Sequence, residues 1–290
     1  MTPTKKTKCH DAWCGLRRHP WRSLTYAFAA FSVLWTLTEG VTHFLPGVTI
    51  EGGYALTIII LVSIGFGLNR FWKPSSIVIK VKTTNTKIEV LFGDLFSQTG
   101  VRGISVTEFF ESELGTPVSE TSLHGLFLKK CFGGGAKDFD KQLKDQLQDN
   151  EFEDTQKAIG KKRKFPIGTT ALINVDGDKY ICVAIAVADL AACKAKSDVT
   201  KMWVAMHGLW QRARNEAGGH PLNVPLIGSG LSGIGLPARD LLNLIILSAI
   251  TETKANRITE VIRIILHPDQ FEELDLRDVK KHGSSLLSVG

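Results

Sequence analysis

Pro225-Leu226-Ile227-Gly228-Ser229-Gly230-Leu231-Ser232-Gly233-Ile234-Gly235-Leu236-Pro237 is the stretch of this chain that decides its fold class. Residues 222–227 read as a short buried strand, and Pro237 opens an apolar helix that runs to about residue 253. Four glycines and two serines lie between them. Glycine carries no Cβ, so backbone N–H groups in such a bend can come close to a ligand. The N-terminus of the following helix adds partial positive charge, which makes phosphate the natural guest.

Gly228-x-Gly230-x-x-Gly233 matches the dinucleotide fingerprint as a string. Its context matches only in part. The bend comes late in the chain, and Asp269, beyond the next strand, is too far on for the ribose acid expected about 20 residues downstream. Cradling a phosphate needs only the bend and the helix. Ser229 lacks the G-x-S-x-G frame of a hydrolase elbow, since position 227 is Ile and 231 is Leu.

Upstream of the bend, residues 77–81 and 87–92 alternate and are rich in β-branched side chains, as strands are. Gly93-Asp94-Leu95-Phe96 follows the second. Residues 103–106 form a short apolar strand leading into Thr107-Glu108-Phe109-Phe110. Ser122-Leu123-His124-Gly125 enters a helix. Strands over 169–175 and 180–186 join through Asp176-Gly177-Asp178, a hairpin signal. Residues 199–217 carry a helical stripe of Met202, Trp203, Met206, Leu209, Trp210 and Ala213, expected to be core. The last strand spans 258–266. Strands with intervening helices give an α/β layered domain over residues 74–290. Residues 133–164 differ: a glycine run, a charged helix-forming stretch and Lys161-Lys162-Arg163-Lys164 read as a solvent-facing insertion.

The N-terminal quarter, residues 1–73, is of another kind. Two apolar segments, from residue 24 and from about residue 48, each run about 20 residues, or roughly 30 Å as helix, enough to cross a bilayer. Pro46 and Gly47 make the turn between them. The chain's net charge is +6, but residues 1–73 hold eight Lys/Arg against three acids. The rest is nearly balanced, with 27 of the 35 basic and 26 of the 29 acidic residues. The excess flanks the apolar segments, where it sets topology and is not a nucleic-acid footprint. It places both termini in the cytoplasm, with Trp21 and Trp72 as interfacial anchors, in a two-pass protein of the cell inner membrane. Ser63 and Gly67 offer a close-packing face. Glu39 and Glu51 lie near the outer ends of the segments, and a pore would need several copies.

Five cysteines without paired spacing give no disulfide framework, and Cys9, His10, Cys14 and His19 do not fit a zinc pattern. No metal site and no catalytic residue is expected.

Gly93-Asp94-Leu95, Ile104-Ser105-Val106-Thr107-Glu108-Phe109-Phe110, Ser122-Leu123-His124-Gly125 and the 228–235 bend resemble, in that order, a macro domain. With two N-terminal membrane segments, the whole chain resembles the membrane-anchored macro-domain effectors of Thoeris anti-phage defence. The resemblance implies a mixed sheet between helices with an ADP-ribose-like ligand across its crest. It implies that Asp94 accepts a hydrogen bond from the adenine amino group, with Leu95 beside it. It implies that Gly228, Ser229, Gly230, Leu231, Ser232, Gly233 and Ile234 wrap the diphosphate with backbone N–H groups, and that Thr107 and Glu108 face the distal ribose. The ligand would be a histidine-bearing ADP-ribose signal made by a TIR-domain partner protein, with no other cofactor. Binding would drive homo-oligomerisation and membrane disruption. Macro domains that hydrolyse ADP-ribose adducts carry an Asn-containing stretch where this chain reads Val106-Thr107-Glu108-Phe109-Phe110, so a sensor is expected. A membrane-tethered ADP-ribosyl hydrolase is the alternative.

Overall fold

The computed structural model describes residues 20–45, 47, 52–71, 73–81, 83–189, 195–230 and 233–288. The chain divides into two compact units, Met1–Ser75 and Ser76–Gly290.

In the first unit, helices α1 (Pro20–Phe44) and α2 (Gly52–Phe71) pack along one another. Ile59 and Ser63 of α2 are buried, and the Ser63 hydroxyl donates to the Ile59 carbonyl at 2.6 Å. This internal bond lets a polar residue occupy the seam at little cost. The surrounding side chains are apolar and exposed, among them Trp21, Phe28, Leu37, Ile58 and Leu61. Among the described residues, one stretch is long and apolar enough to cross a membrane, residues 24–44. The apolar part of α2 is shorter, Gly53–Gly67. Sequence reading gives both segments about 20 residues. Glu51, Pro46 and Trp72, which entered that reading, lie outside the described residues, as do Cys9, His10, Cys14 and His19.

The second unit is an α/β domain. Its strands are β1 (Ser76–Val81), β2 (Thr86–Phe92), β3 (Val101–Thr107), β4 (Glu153–Asp154), β5 (Arg163–Lys164), β6 (Thr170–Val175), β7 (Asp178–Ala188), β8 (Ala195–Lys196), β9 (Leu222–Pro225) and β10 (Val261–Leu266). Its helices are α3 (Leu123–Phe132), α4 (Lys137–Leu147), α5 (Val199–Glu216), α6 (Ala238–Ala255) and α7 (Leu276–Ser288). The main sheet runs β1-β2-β10-β9-β3-β7-β6, with β8 on β7. The five strands from β2 to β7 pair in parallel, and β1 and β6 flank them antiparallel. The sheet is therefore mixed, with its parallel part inside, where both faces are covered.

Side-chain alternation fills two cores. On β7, Ile181, Val183 and Ile185 face the cluster shared with α5, α6 and α7. Tyr180, Cys182 and Ala184 face the other, shared with α3 and α4. Such period-two burial on both faces explains why this strand reads as one apolar run. The hairpin before it closes through Asp176 and Gly177, both at positive φ, as the sequence predicts.

α5 buries Met202, Met206, Leu209, Trp210 and Ala213. Trp203, expected in the same stripe, is 38% exposed, because its position falls on the stripe's edge. The Trp210 indole N–H donates to the Ser248 hydroxyl of α6 at 2.8 Å inside the core, so the two helices share a satisfied buried contact. Gly208 lets α5 press onto the turn before β6: a Cβ there would overlap the Gly168 carbonyl. Gly208→Ala is expected to destabilise the protein by about 1–3 kcal/mol, the range for overpacking, read as a lowered urea midpoint of the full chain in detergent.

Candidate functional site

Five parallel strands end at one edge of the sheet, and the carboxyl edge is where α/β sheets place ligands. β2 ends there in Asp94, β3 in Thr107 and Glu108, β9 in the glycine bend, β10 in His267 and β7 in Ala188. Three separate stretches singled out in the sequence thus meet on one crest, except that Leu231 and Ser232 lie outside the described residues.

Asp94 caps a 3-10 turn, Leu95–Ser97, with one carboxylate oxygen accepting from the Phe96 N–H at 3.0 Å. Its other oxygen lies 3.2 Å from Lys130 Nζ. That ammonium also sits 4.6 Å from the Phe96 ring centre. The Asp94 side chain remains half exposed, so its oxygens keep lone pairs for a ligand N–H. Leu95 is buried beneath the turn. Arg102, itself buried, donates to the carbonyls of Leu95, Phe96 and Gln98 and so fixes the turn from below. Phe271, in the 3-10 turn after β10, lies edge-on to Phe92 at 5.0 Å. This aromatic contact, made two residues before Asp94 in the chain, is one that sequence reasoning missed, because only strand order brings β10 beside β2.

At the end of β3 the register with β7 shifts between Val106 and Thr107. Such a bulge re-aims side chains. Thr107 Oγ1 is buried without a hydrogen-bond partner, a polar atom that asks for one. The Glu108 carboxyl is also buried, with Lys164 Nζ 4.0 Å away. Burial raises its pKa, against the opposing pull of Lys164 and an amide hydrogen bond from Ala188. Sequence reading turns Glu108 toward a ligand; in the structure its carboxyl is enclosed by the residues around it.

The enclosing residues come from the charged insertion, and here the structure corrects the expectation of a solvent-facing segment. α4 buries Phe139, Leu143 and Leu147, since its apolar residues recur four apart on one face. Lys157, in the loop between β4 and β5, is buried in an ion pair with Glu111, its ammonium 4.2 Å from the Phe109 ring centre. The Lys161 N–H donates to Glu111 at 3.0 Å and its ammonium to the Phe110 carbonyl at 2.7 Å. Phe110 sits at φ 48°, a backbone state held by these bonds. The basic run 161–164 is thus partly spent on bracing the segment after β3 and is not simply a solvated face.

In the glycine bend, Gly228 has φ 86° and a Cβ there would lie 2.5 Å from Ile234 Cδ1. The Ser229, Gly233 and Ile234 N–H groups donate to Leu226, Gly230 and Gly228 carbonyls within the bend. Among the described residues, the amides of Gly228 and Gly230 have no acceptor. The donors left for an anion are therefore fewer than the sequence suggests, because part of the bend closes on itself. α6 follows with no side-chain cap at Pro237, so its first amides add to that set.

His124 of α3 is buried, with Nε2 unpartnered. Burial first and the Lys161 charge second push its pKa down to about 3. It lies under the crest, against Phe139. Among the described residues, no cluster of His, Cys, Asp and Glu is fit to hold a metal.

The family model described as "Thoeris protein ThsA, Macro domain" matches residues 88–267. No curated protein matches the chain. Among solved structures, a single-residue variant of the Oceanobacillus iheyensis macrodomain is similar at 11% identity and TM-score 0.48, covering 72% of this chain and 97% of that one. Another variant, "with ADPR", is similar at 10% identity and TM-score 0.49, covering 71% and 97%. The same macrodomain "with ADP" gives 11% identity and TM-score 0.48, covering 71% and 95%.

Lys157→Met leaves Glu111 buried and unpaired and is expected to cost about 3–5 kcal/mol. Adding Glu111→Leu should recover much of that, in chemical denaturation of the full chain. His124 gives a second test. Its folded pKa lies below its unfolded one, so the unfolded chain binds the extra proton between about pH 6.5 and 3, and stability falls as pH drops through that window. From pH 7 to 5, the wild type should lose about 2 kcal/mol more than His124→Leu, measured by urea midpoints at the two pH values.

Proposed function

The chain belongs to the Thoeris ThsA macro-domain family, and from that premise we propose that it is a membrane-anchored sensor of an ADP-ribose-derived signal. The carrying observation is the convergence of the Asp94 turn, the end of β3 and the glycine bend at the carboxyl edge of five parallel strands. Adenine sits at the Asp94 end, its amino group donating to the Asp94 carboxylate, with Leu95 beneath. The diphosphate lies across the bend, held by the open amides of Gly228 and Gly230 and by the N-terminus of α6, with Leu231 and Ser232 completing the wrap. The distal ribose lies at the end of β3, where the buried, unpartnered Thr107 hydroxyl fits a ligand hydroxyl once the loops above it open. Glu108, with Lys164 and Ala188, braces that end and meets a cationic substituent once the loops open.

The two apolar helices span the cell inner membrane with both termini in the cytoplasm. The signal is a histidine-bearing ADP-ribose made by a TIR-domain partner, in line with the family resemblance. Binding favours an assembled state of several copies, whose clustered helices breach the bilayer. Only a ligand that binds that state more tightly shifts the equilibrium toward it. No turnover is part of this scheme. The raised pKa of Glu108 favours one other reading, hydrolysis of an ADP-ribosyl bond with Glu108 as proton donor.

Calorimetry of the full chain in detergent with ADP-ribose and its histidine adduct tests the binding. Asp94→Ala should weaken affinity about 10–100-fold, the cost of losing one charged hydrogen bond. Gly228→Val should abolish binding while the fold persists by circular dichroism. An absence of heat with either compound sinks the sensor, and release of free ADP-ribose over time would establish the hydrolase in its place.

A further inference from the structure

α1 is two-sided. Ala27, Phe31, Leu34, Thr38 and Thr42 are half-buried, and their spacing of three and four puts them on the face toward α2. Thr25, Ala29, Ser32, Thr36, Glu39 and His43 follow one another at the same spacing along a different line, and all six are exposed. At about 100° per residue they centre on a direction some 140° from the middle of the face toward α2, although Thr25 and Glu39 also border hollows shared with α2. Each is small, hydroxylic or ionisable. In a helix of otherwise apolar surface this is a continuous polar stripe.

The outward side of α2 is unlike it. Tyr54, Ile58 and Leu61 are 87%, 61% and 63% exposed. Beyond the tyrosine near its start and Thr57, whose hydroxyl donates to the Gly53 carbonyl of its own helix at 2.6 Å, that side is apolar. Within the stripe, the Thr25 and Ser32 hydroxyls donate to the Trp21 and Phe28 carbonyls of their own helix. Their oxygens remain able to accept. Among the described residues, no hydrogen bond or ion pair reaches the Glu39 carboxylate. A carboxylate facing hydrocarbon is strongly disfavoured, and such residues face a bundle interior or water. Of the hairpin's two outer faces, the one on α2 suits lipid and the stripe on α1 does not.

We propose that the stripe is the seam by which copies of this chain associate in the bilayer. α1 of one copy packs on α1 of the next, and α2 turns outward to the lipid. This rests on the reading of both helices as bilayer-spanning. Copies inserted in one orientation hold Glu39 and His43 at equal depth, one helical turn apart. Each carboxylate then meets the neighbour's imidazole as well as its carboxylate. Alanine and the hydroxylic residues let the backbones approach closely, as small residues do between membrane helices. The centre of a larger ring of copies is lined by the same stripe, so the seam and a polar path share residues.

The test uses the full chain in cell membranes, with the five native cysteines changed to alanine. Single cysteines are introduced by Ser32→Cys and Thr36→Cys on the stripe, and by Ile58→Cys and Leu61→Cys on α2. Copper-phenanthroline oxidation with saturating histidine adduct of ADP-ribose should give at least 5-fold more disulfide-linked dimer from the stripe variants. Equal or greater linking from the α2 variants overturns the seam and leaves membrane insertion standing. Extraction of the chain by alkaline carbonate overturns insertion and the seam together. Independently, a Ser32→Leu/Thr36→Leu variant should lose co-purification of a second, differently tagged copy while binding nucleotide as before. Unchanged co-purification overturns the proposal.

Discussion

Parallel pairing is the constraint from which the rest of this domain follows. A strand that pairs in parallel must begin and end at the same sides as its neighbour. Five such strands, β2, β10, β9, β3 and β7, therefore deliver five chain exits to one edge. What the chain places at those exits becomes neighbours in space, however far apart in sequence. Asp94 and the bend at 228–235 lie far apart along the chain, yet both stand at that edge because β10 and β9 lie between β2 and β3. The connections through α5 and α6, with α7, cover one face of the sheet, and α3 and α4 cover the other.

The edge is only as firm as the loops that leave it, and the two ends are fixed in different ways. At the β2 end, a buried guanidinium from Arg102 ties three carbonyls of the Asp94 turn. At the β3 end, the bracing is imported. The insertion between α3 and β6 drives Lys157 into the interior against Glu111 and spends Lys161 on two further bonds. A buried ion pair of this sort is weak evidence for added stability, since desolvation offsets attraction. Its effect here is geometric, for it allows one position of the segment carrying Thr107 and Glu108. Gly160 stands where a side chain would overlap the Glu111 carboxylate.

Much of this was legible in the residues. Alternation and β-branching located β1, β2 and β6, and Asp176-Gly177 marked the hairpin. The glycine bend was legible because glycine at positive φ has few other uses. The Asp94 and Thr107 segments were found through the order of motifs, not through their own chemistry. What stayed hidden depends on contacts between distant residues. Phe271 reads as an unremarkable aromatic until β10 is known to pair with β2. Lys157 reads as one charge in a charged run, since nothing local shows that it points inward. The inward bonds of Ser229, Gly233 and Ile234 are set by how the bend curls, which composition does not fix.

β10, late in the chain at Val261–Leu266, fills the gap between β2 and β9 near the middle of the sheet. Until it arrives, β2 has only β1 beside it, and the two halves of the edge are not joined. During synthesis the apolar N-terminal helices leave the ribosome long before this strand does. A partly made chain thus carries its greasy segments before the two halves of that edge are joined, and the Asp94 turn and the glycine bend become neighbours only once this strand has slotted between theirs.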